Sequence, residues 1–171
     1  SSAASDVYKR QDRDQRYVRH GGPKTEMQRA FIEALDAFHM ALALGPAGTG
    51  KTYLSIAKAV EALDAGEVQR IVLTRPAMEA GESIGYLPGS LQEKMAPYLR
   101  PLSDALSDCL GSKLIADGTI EIAPVRYMRG RTLNRSFVAI DEAQNCTHRP
   151  IKMLLTRLGW NSTMAVTCLL Y

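Results

Sequence analysis

Apolar and polar positions change period several times along the 171-residue chain, and each change marks an element. Residues 25–38 place Met27, Ala30, Phe31, Ala34, Leu35 and Phe38 three and four apart, the spacing of one helical face, with Thr25 as N-cap. A continuous apolar run at 40–44 then predicts a buried strand. Past a glycine-rich stretch, Leu54, Ile56, Ala57, Val60 and Leu63 restore helical spacing. Residues 70–74 (R-I-V-L-T) predict a second buried strand, which Arg75 and Pro76 stop. Residues 78–88, rich in Gly and Glu, predict a loop, and 91–110 a mainly helical stretch interrupted near Pro97 and Pro101. Short strands at 119–123, 137–141 and 164–167 complete the series. Helix and strand alternate, which predicts an α/β fold built on a mostly parallel sheet with helices on both faces.

Residues 1–11 and 168–171 fit neither the flanking composition nor this pattern, and one DNA sequence read in opposite directions can encode both. Bases running from the Val7 codon into the Gln11 codon, reverse-complemented, spell Cys-Leu-Leu-Tyr, the residues at 168–171, and both ends resemble translated sequencing adapter. The natural segment is therefore expected at 12–167, as a single domain whose C-terminal strand is missing. An outer strand lost from beside the first strand would leave a hydrogen-bonding edge exposed.

An apolar fraction of 46% and a charged fraction of 23% are those of an ordinary domain with a real core. No apolar run is long enough to cross a membrane. Setting aside Cys168, Cys109 and Cys146 lie far apart without metal-ligand spacing, which fits a reducing cytoplasm. The formal charge of +3, one lower without the end segments, is too small to imply nucleic acid by itself, so any such partner requires a local patch.

The strongest chemical signal is Gly45, Pro46, Ala47, Gly48, Thr49, Gly50, Lys51 and Thr52, which match G-x-x-x-x-G-K-[ST] at every fixed position. Glycines let the backbone wrap an anion, Lys51 brings a positive charge to the β/γ-phosphates, and the Thr52 hydroxyl completes a Mg²⁺ shell. A strand before the loop and a helix after it supply the required context, and the helix adds the positive end of its dipole. Tyr53 is grouped with these residues against the nucleotide.

About ninety residues after Lys51, the strand at 137–141 ends in Asp141 and Glu142. The first acid is expected to hold Mg²⁺ and the second to polarise an attacking water. No N-K-x-D segment for reading guanine is present, which weighs against a GTPase. A water-activating Glu weighs more softly against a small-molecule kinase.

Several segments together resemble the PhoH family of ATPases, cytoplasmic proteins related to the N-terminal motor domain of superfamily 1 helicases. They are K-T-E-M-Q (24–28), the phosphate loop, L-T-R-P-A-M-E-A-G-E (73–82), G-Y-L-P-G (85–89), P-Y-L-R-P-L (97–102), I-E-I-A-P (120–124), Y-M-R-G-R-T-L-N (127–134) and D-E-A-Q-N (141–145). The resemblance implies a RecA-like P-loop NTPase that hydrolyses ATP with Mg²⁺. By the same resemblance Gln28 reads the adenine edge, Gln144 senses the γ-phosphate, and Thr74 and Arg75 touch a nucleic-acid backbone. Arg126, Arg129, Arg131 and Arg135 surround Tyr127, and three uses stay open for them: RNA contact, a finger reaching a neighbour's γ-phosphate, or structure. Implied partners are single-stranded RNA, a ribonuclease and further copies in a ring; the alternative is an ATP-dependent switch for a protein partner. The family's Gly-Asp after V-T is replaced by Cys168, which puts its sensor motif outside the chain.

Overall fold

The computed structural model describes residues 22–76, 91–110 and 118–170. Five strands, β1 (Met40–Gly45), β2 (Arg70–Arg75), β3 (Ile120–Pro124), β4 (Ser136–Ile140) and β5 (Thr163–Leu169), form one sheet in the order β1-β5-β4-β2-β3. Every pairing is parallel. The helices are α1 (Glu26–Ala37), α2 (Lys51–Asp64), α3 (Leu91–Cys109) and α4 (His148–Leu155).

The strands look uniformly apolar in sequence because both of their faces are covered. Ala41, Ile71, Leu73, Phe137, Ala139 and Ala165 point into one core, filled by Ile56, Ala59 and Val60 of α2 and by Leu102, Leu106 and Cys109 of α3. Val72, Val138, Ile140, Met164 and Val166 point the other way, toward Leu154 of α4 and toward Val125, Met128 and Leu133. The alternation within each strand thus divides one apolar run between two cores.

The N-cap expectation for α1 is met as a full capping box: the Gln28 N–H donates to Thr25 Oγ1 at 3.2 Å, and Gln28 Oε1 accepts from the Thr25 N–H at 3.2 Å. For α3 the expectation fails, because the helix runs unbroken through Pro97 and Pro101. The two prolines, four residues apart, lie exposed on one face, away from the packed side of the helix. Leu102 and Leu106, both fully buried, hold the opposite face to the sheet. The predicted loop at 78–88 lies outside the described residues, as does the segment 1–11.

Two further expectations concern β5 and β1. The last strand, expected at 164–167, runs to Leu169, taking in the first two residues of the suspected adapter end, and lies between β1 and β4. β1 is therefore an outer strand of the described sheet. Its Met40, Leu42 and Leu44 share a face with Met164 and Val166 yet remain 40, 58 and 51% exposed.

At the opposite end of the strands from the phosphate loop, the α4–β5 connection presents Trp160, 83% exposed. Its backbone is fixed: the Trp160 N–H donates to Asn134 Oδ1 at 3.0 Å, and its carbonyl accepts from the Arg135 N–H at 2.7 Å. A Cβ on the preceding Gly159 would stand 1.9 Å from Asn134 Oδ1, so this approach requires glycine.

Candidate functional site

In an all-parallel sheet the C-terminal tips of the strands gather at one edge, where ligands of open α/β sheets bind. Register decides which residues become neighbours there. Thr74 pairs with Ile140, and Ile140 with Val166, so the residues one step beyond put Asp141 between Arg75 and Thr167. The Asp141 N–H confirms the placement by donating to the Thr74 carbonyl at 2.9 Å.

The phosphate loop joins β1 to α2. Gly48 and Gly50 have φ of 75° and 80°, left-handed conformations in which a side chain would be strained. The amide of Gln28 also stands 3.4 Å from where a Cβ on Gly50 would be. Lys51 Nζ donates to the carbonyls of Gly45 at 2.9 Å and Pro46 at 2.6 Å, and to Thr49 Oγ1 at 3.1 Å. Thr52 Oγ1 donates to Asp141 Oδ1 at 2.5 Å, across 89 residues of sequence. The loop and the acidic strand tip, inferred separately from sequence, form one site.

Asp141 is buried, and its Oδ1 accepts a second hydroxyl, Thr167 Oγ1, at 2.8 Å. Two hydroxyls and a carboxylate are hard oxygen donors of the kind Mg²⁺ prefers, and Mg²⁺ sites commonly use one or two protein ligands plus substrate phosphate and water. Thr52 and Asp141 therefore fit the metal expected of them. Glu142 follows with φ 53°, a left-handed conformation uncommon for a non-glycine residue. Asn145 Nδ2 donates to Glu142 Oε2 at 3.0 Å, and the Arg75 guanidinium pairs with Glu142 Oε1. Sequence reasoning missed Thr167 and Asn145. A polar residue ending an apolar strand, as in M-A-V-T, was the available signal for Thr167.

The remaining candidates make contacts within the chain. Gln28 has its amide committed to the chain itself: Oε1 accepts from the N–H groups of Lys24 and Thr25, and Nε2 donates to the Thr49 carbonyl at 2.9 Å. It ties α1 to the phosphate loop. Tyr53 packs against the core of α2 and α3, beside Cys109, whose thiol burial pushes up and a Tyr53 hydrogen bond pulls back. Gln144 Oε1 accepts from the Leu169 N–H at 2.9 Å, joining the segment after Glu142 to β5.

Thr74 is fully buried, and its hydroxyl has no hydrogen-bond partner among the described residues. Arg75, 18% exposed, faces the two acids. Arg131 forms a forked ion pair with Glu121 at 2.6 and 2.7 Å; that hydrogen bond holds the Glu121 carboxyl below its ordinary range and the guanidinium above its own. Arg129 and Arg135 are exposed, and the Arg126 side chain lies outside the described residues.

Comparison with known proteins bears on the family and the fold. The chain is 56% identical over 149 residues to a PhoH-like protein of Mycobacterium tuberculosis (strain ATCC 25618 / H37Rv), covering 85% of this chain and 42% of that protein. It is 55% identical over 148 residues to a PhoH-like protein of Bacillus subtilis (strain 168), covering 84% and 46%. With Protein PhoH of Escherichia coli (strain K12) the identity is 46% over 149 residues, covering 84% and 42%. The chain thus spans less than half the length of these relatives. In fold it is similar to the Sulfolobus solfataricus SWI2/SNF2 ATPase core in complex with dsDNA, with a TM-score of 0.55 at 15% identity over 88% of this chain and 34% of that one. That likeness establishes a RecA-like P-loop fold. The family described as PhoH-like protein matches residues 22–168, nearly everything the structure describes, and the chain belongs to it.

Proposed function

We propose that this chain is the nucleotide-hydrolysing part of an ATPase that couples turnover to RNA. The hydrogen bond between Thr52 and Asp141 carries the first half of the reading, because it joins a phosphate-binding loop to a carboxylate with metal-ligand chemistry. ATP lies with its phosphates on the backbone N–H groups of residues 45–52 and the N-terminus of α2, and Lys51 turns from the loop carbonyls to the β/γ-phosphates. Thr52 and Asp141 hold Mg²⁺, which when bound neutralises phosphate charge. Glu142 orients a water toward the γ-phosphorus. The water oxygen forms a new bond there as the bond to the ADP oxygen breaks, and the water's proton passes to Glu142 or to solvent. By the family resemblance, Gln144, two residues after Glu142, senses the γ-phosphate. An arginine from a neighbouring copy, with Arg129 an exposed candidate, stabilises the transition state in a ring.

The RNA half rests on the family resemblance and on the exposed cations Arg129 and Arg135, which follow Tyr127 in sequence. Thr74 and Arg131 contribute less to it than their sequence neighbourhood suggested, since one is buried and the other paired. A cytoplasmic location and a ribonuclease partner follow from the same resemblance. The test is ATP turnover by the full-length gene product with and without single-stranded RNA, alongside Glu142→Gln. RNA stimulation lost in Glu142→Gln supports the coupled ATPase. Turnover lost in Glu142→Gln but indifferent to RNA removes the coupling and leaves a switch for a protein partner.

A further inference from the structure

We propose that Arg75 is a positioning residue of the hydrolytic centre, acting in cis through Glu142; this rests on the ATPase reading above. Arg75 ends β2, where register sets it beside Asp141. One guanidinium reaches three groups. An Nη pairs with Glu142 Oε1, Nε lies 3.7 Å from Asp141 Oδ2, and the other Nη donates to the Tyr98 carbonyl of α3 at 3.3 Å. A planar fork can hold such a set in one geometry, whereas an ammonium acts as a point charge on a flexible stem.

Glu142 needs such a constraint. Its backbone is left-handed, it lies outside β4, and its side chain is about a third exposed. Asn145 holds one carboxylate oxygen and Arg75 the other, so the side chain is gripped at both oxygens. Each oxygen keeps a further lone pair for a water. The Tyr98 contact anchors the guanidinium to a helix whose Leu102 and Leu106 are fully buried, so the fork is tied to the core and not to a surface loop. Asp141, by contrast, already has two hydroxyl donors and a buried position, and it depends less on Arg75.

Arg75 acts on the aim of Glu142 and not on nucleotide binding, which gives a split between two measured constants. In the full-length gene product, Arg75→Ala lowers kcat about a hundredfold, the scale of a misaimed catalytic group, and changes ATP affinity less than about twofold. Arg75→Lys recovers part of the loss. In an Arg75→Ala, Glu142→Gln double variant the losses do not add, because both act on one water. Affinity is read with a fluorescent ATP analogue, which also certifies folding; if Arg75→Ala does not fold, Arg75→Lys carries the test with an expected loss of about tenfold.

An unchanged or raised kcat, additive losses in the double variant, or a parallel loss of nucleotide affinity overturns the proposal. The last would make Arg75 a nucleotide contact. Wild type and Glu142→Gln are assayed together. Wild-type turnover that is absent, or insensitive to Glu142→Gln, sinks the ATPase reading itself, whereas an Arg75 result alone sinks only this inference.

Discussion

β1 and β4 each deliver half of the site, yet they sit in opposite settings. All five residues of β4 are buried between β2 and β5, while β1 lies at the rim with Met40, Leu42 and Leu44 substantially exposed. Both carry apolar runs, M-A-L-A-L and F-V-A-I, that predict a buried strand equally well. Hydrophobicity along a strand reports what its faces can accept; position in the sheet depends on which partners are present. The two halves are accordingly fixed in different ways. The phosphate loop is held by contacts among its own residues and Gln28, and Asp141 by the strands on either side.

The largest break in this contrast comes from the β4 core. Phe137→Ala empties a fully enclosed position and is expected to destabilise the chain by about 3–5 kcal/mol in denaturant unfolding. Less severe is Thr167→Val, which removes one hydroxyl from Asp141 at nearly constant volume. A cost of about 1–3 kcal/mol is expected, with weaker Mg²⁺-dependent nucleotide binding in titration calorimetry. Leu42→Ala on β1 sharpens the comparison from the other side: less than about 1 kcal/mol is expected, since over half of that side chain already meets water. A loss comparable with that of Phe137→Ala would mean that β1 is covered in solution.

The smallest effect lies at the far edge strand, β3. Arg131 holds the Glu121 carboxyl below its ordinary value of 4.5, so the pair's stabilisation is fully present above that pH. It is lost as pH falls through the lower folded value. Glu121→Gln should therefore lower the melting temperature slightly at neutral pH, where the pair is intact, and converge with wild type in acid, flattening the acid limb; the effect is small because the pair is partly solvated. A flattening confined to alkaline pH would assign the linkage to another group.

Much of the site was legible because its signals are local. A phosphate loop is eight consecutive residues, and an acid closing an apolar strand needs only its neighbours to be read. Thr167 and Asn145 were less visible, since a threonine at a strand tip acquires meaning only when register places it against Asp141. The prolines of α3 misled for the same reason. Proline excludes a buried helix interior, and whether Pro97 and Pro101 face water is a tertiary fact. The bonds of Gln28 to the phosphate loop and of Tyr53 to Cys109 depend on packing that neither resemblance nor adjacency conveys.

Gly159 and Asn134 lock the turn that presents Trp160, and this has a practical spectroscopic consequence. Trp160 is the chain's single tryptophan, and its indole is already largely hydrated in the folded state. Its emission maximum will sit near that of the unfolded chain, so fluorescence will register denaturation only weakly. The stability differences above are better followed by far-ultraviolet circular dichroism, where the loss of α2 and the parallel sheet dominates the signal.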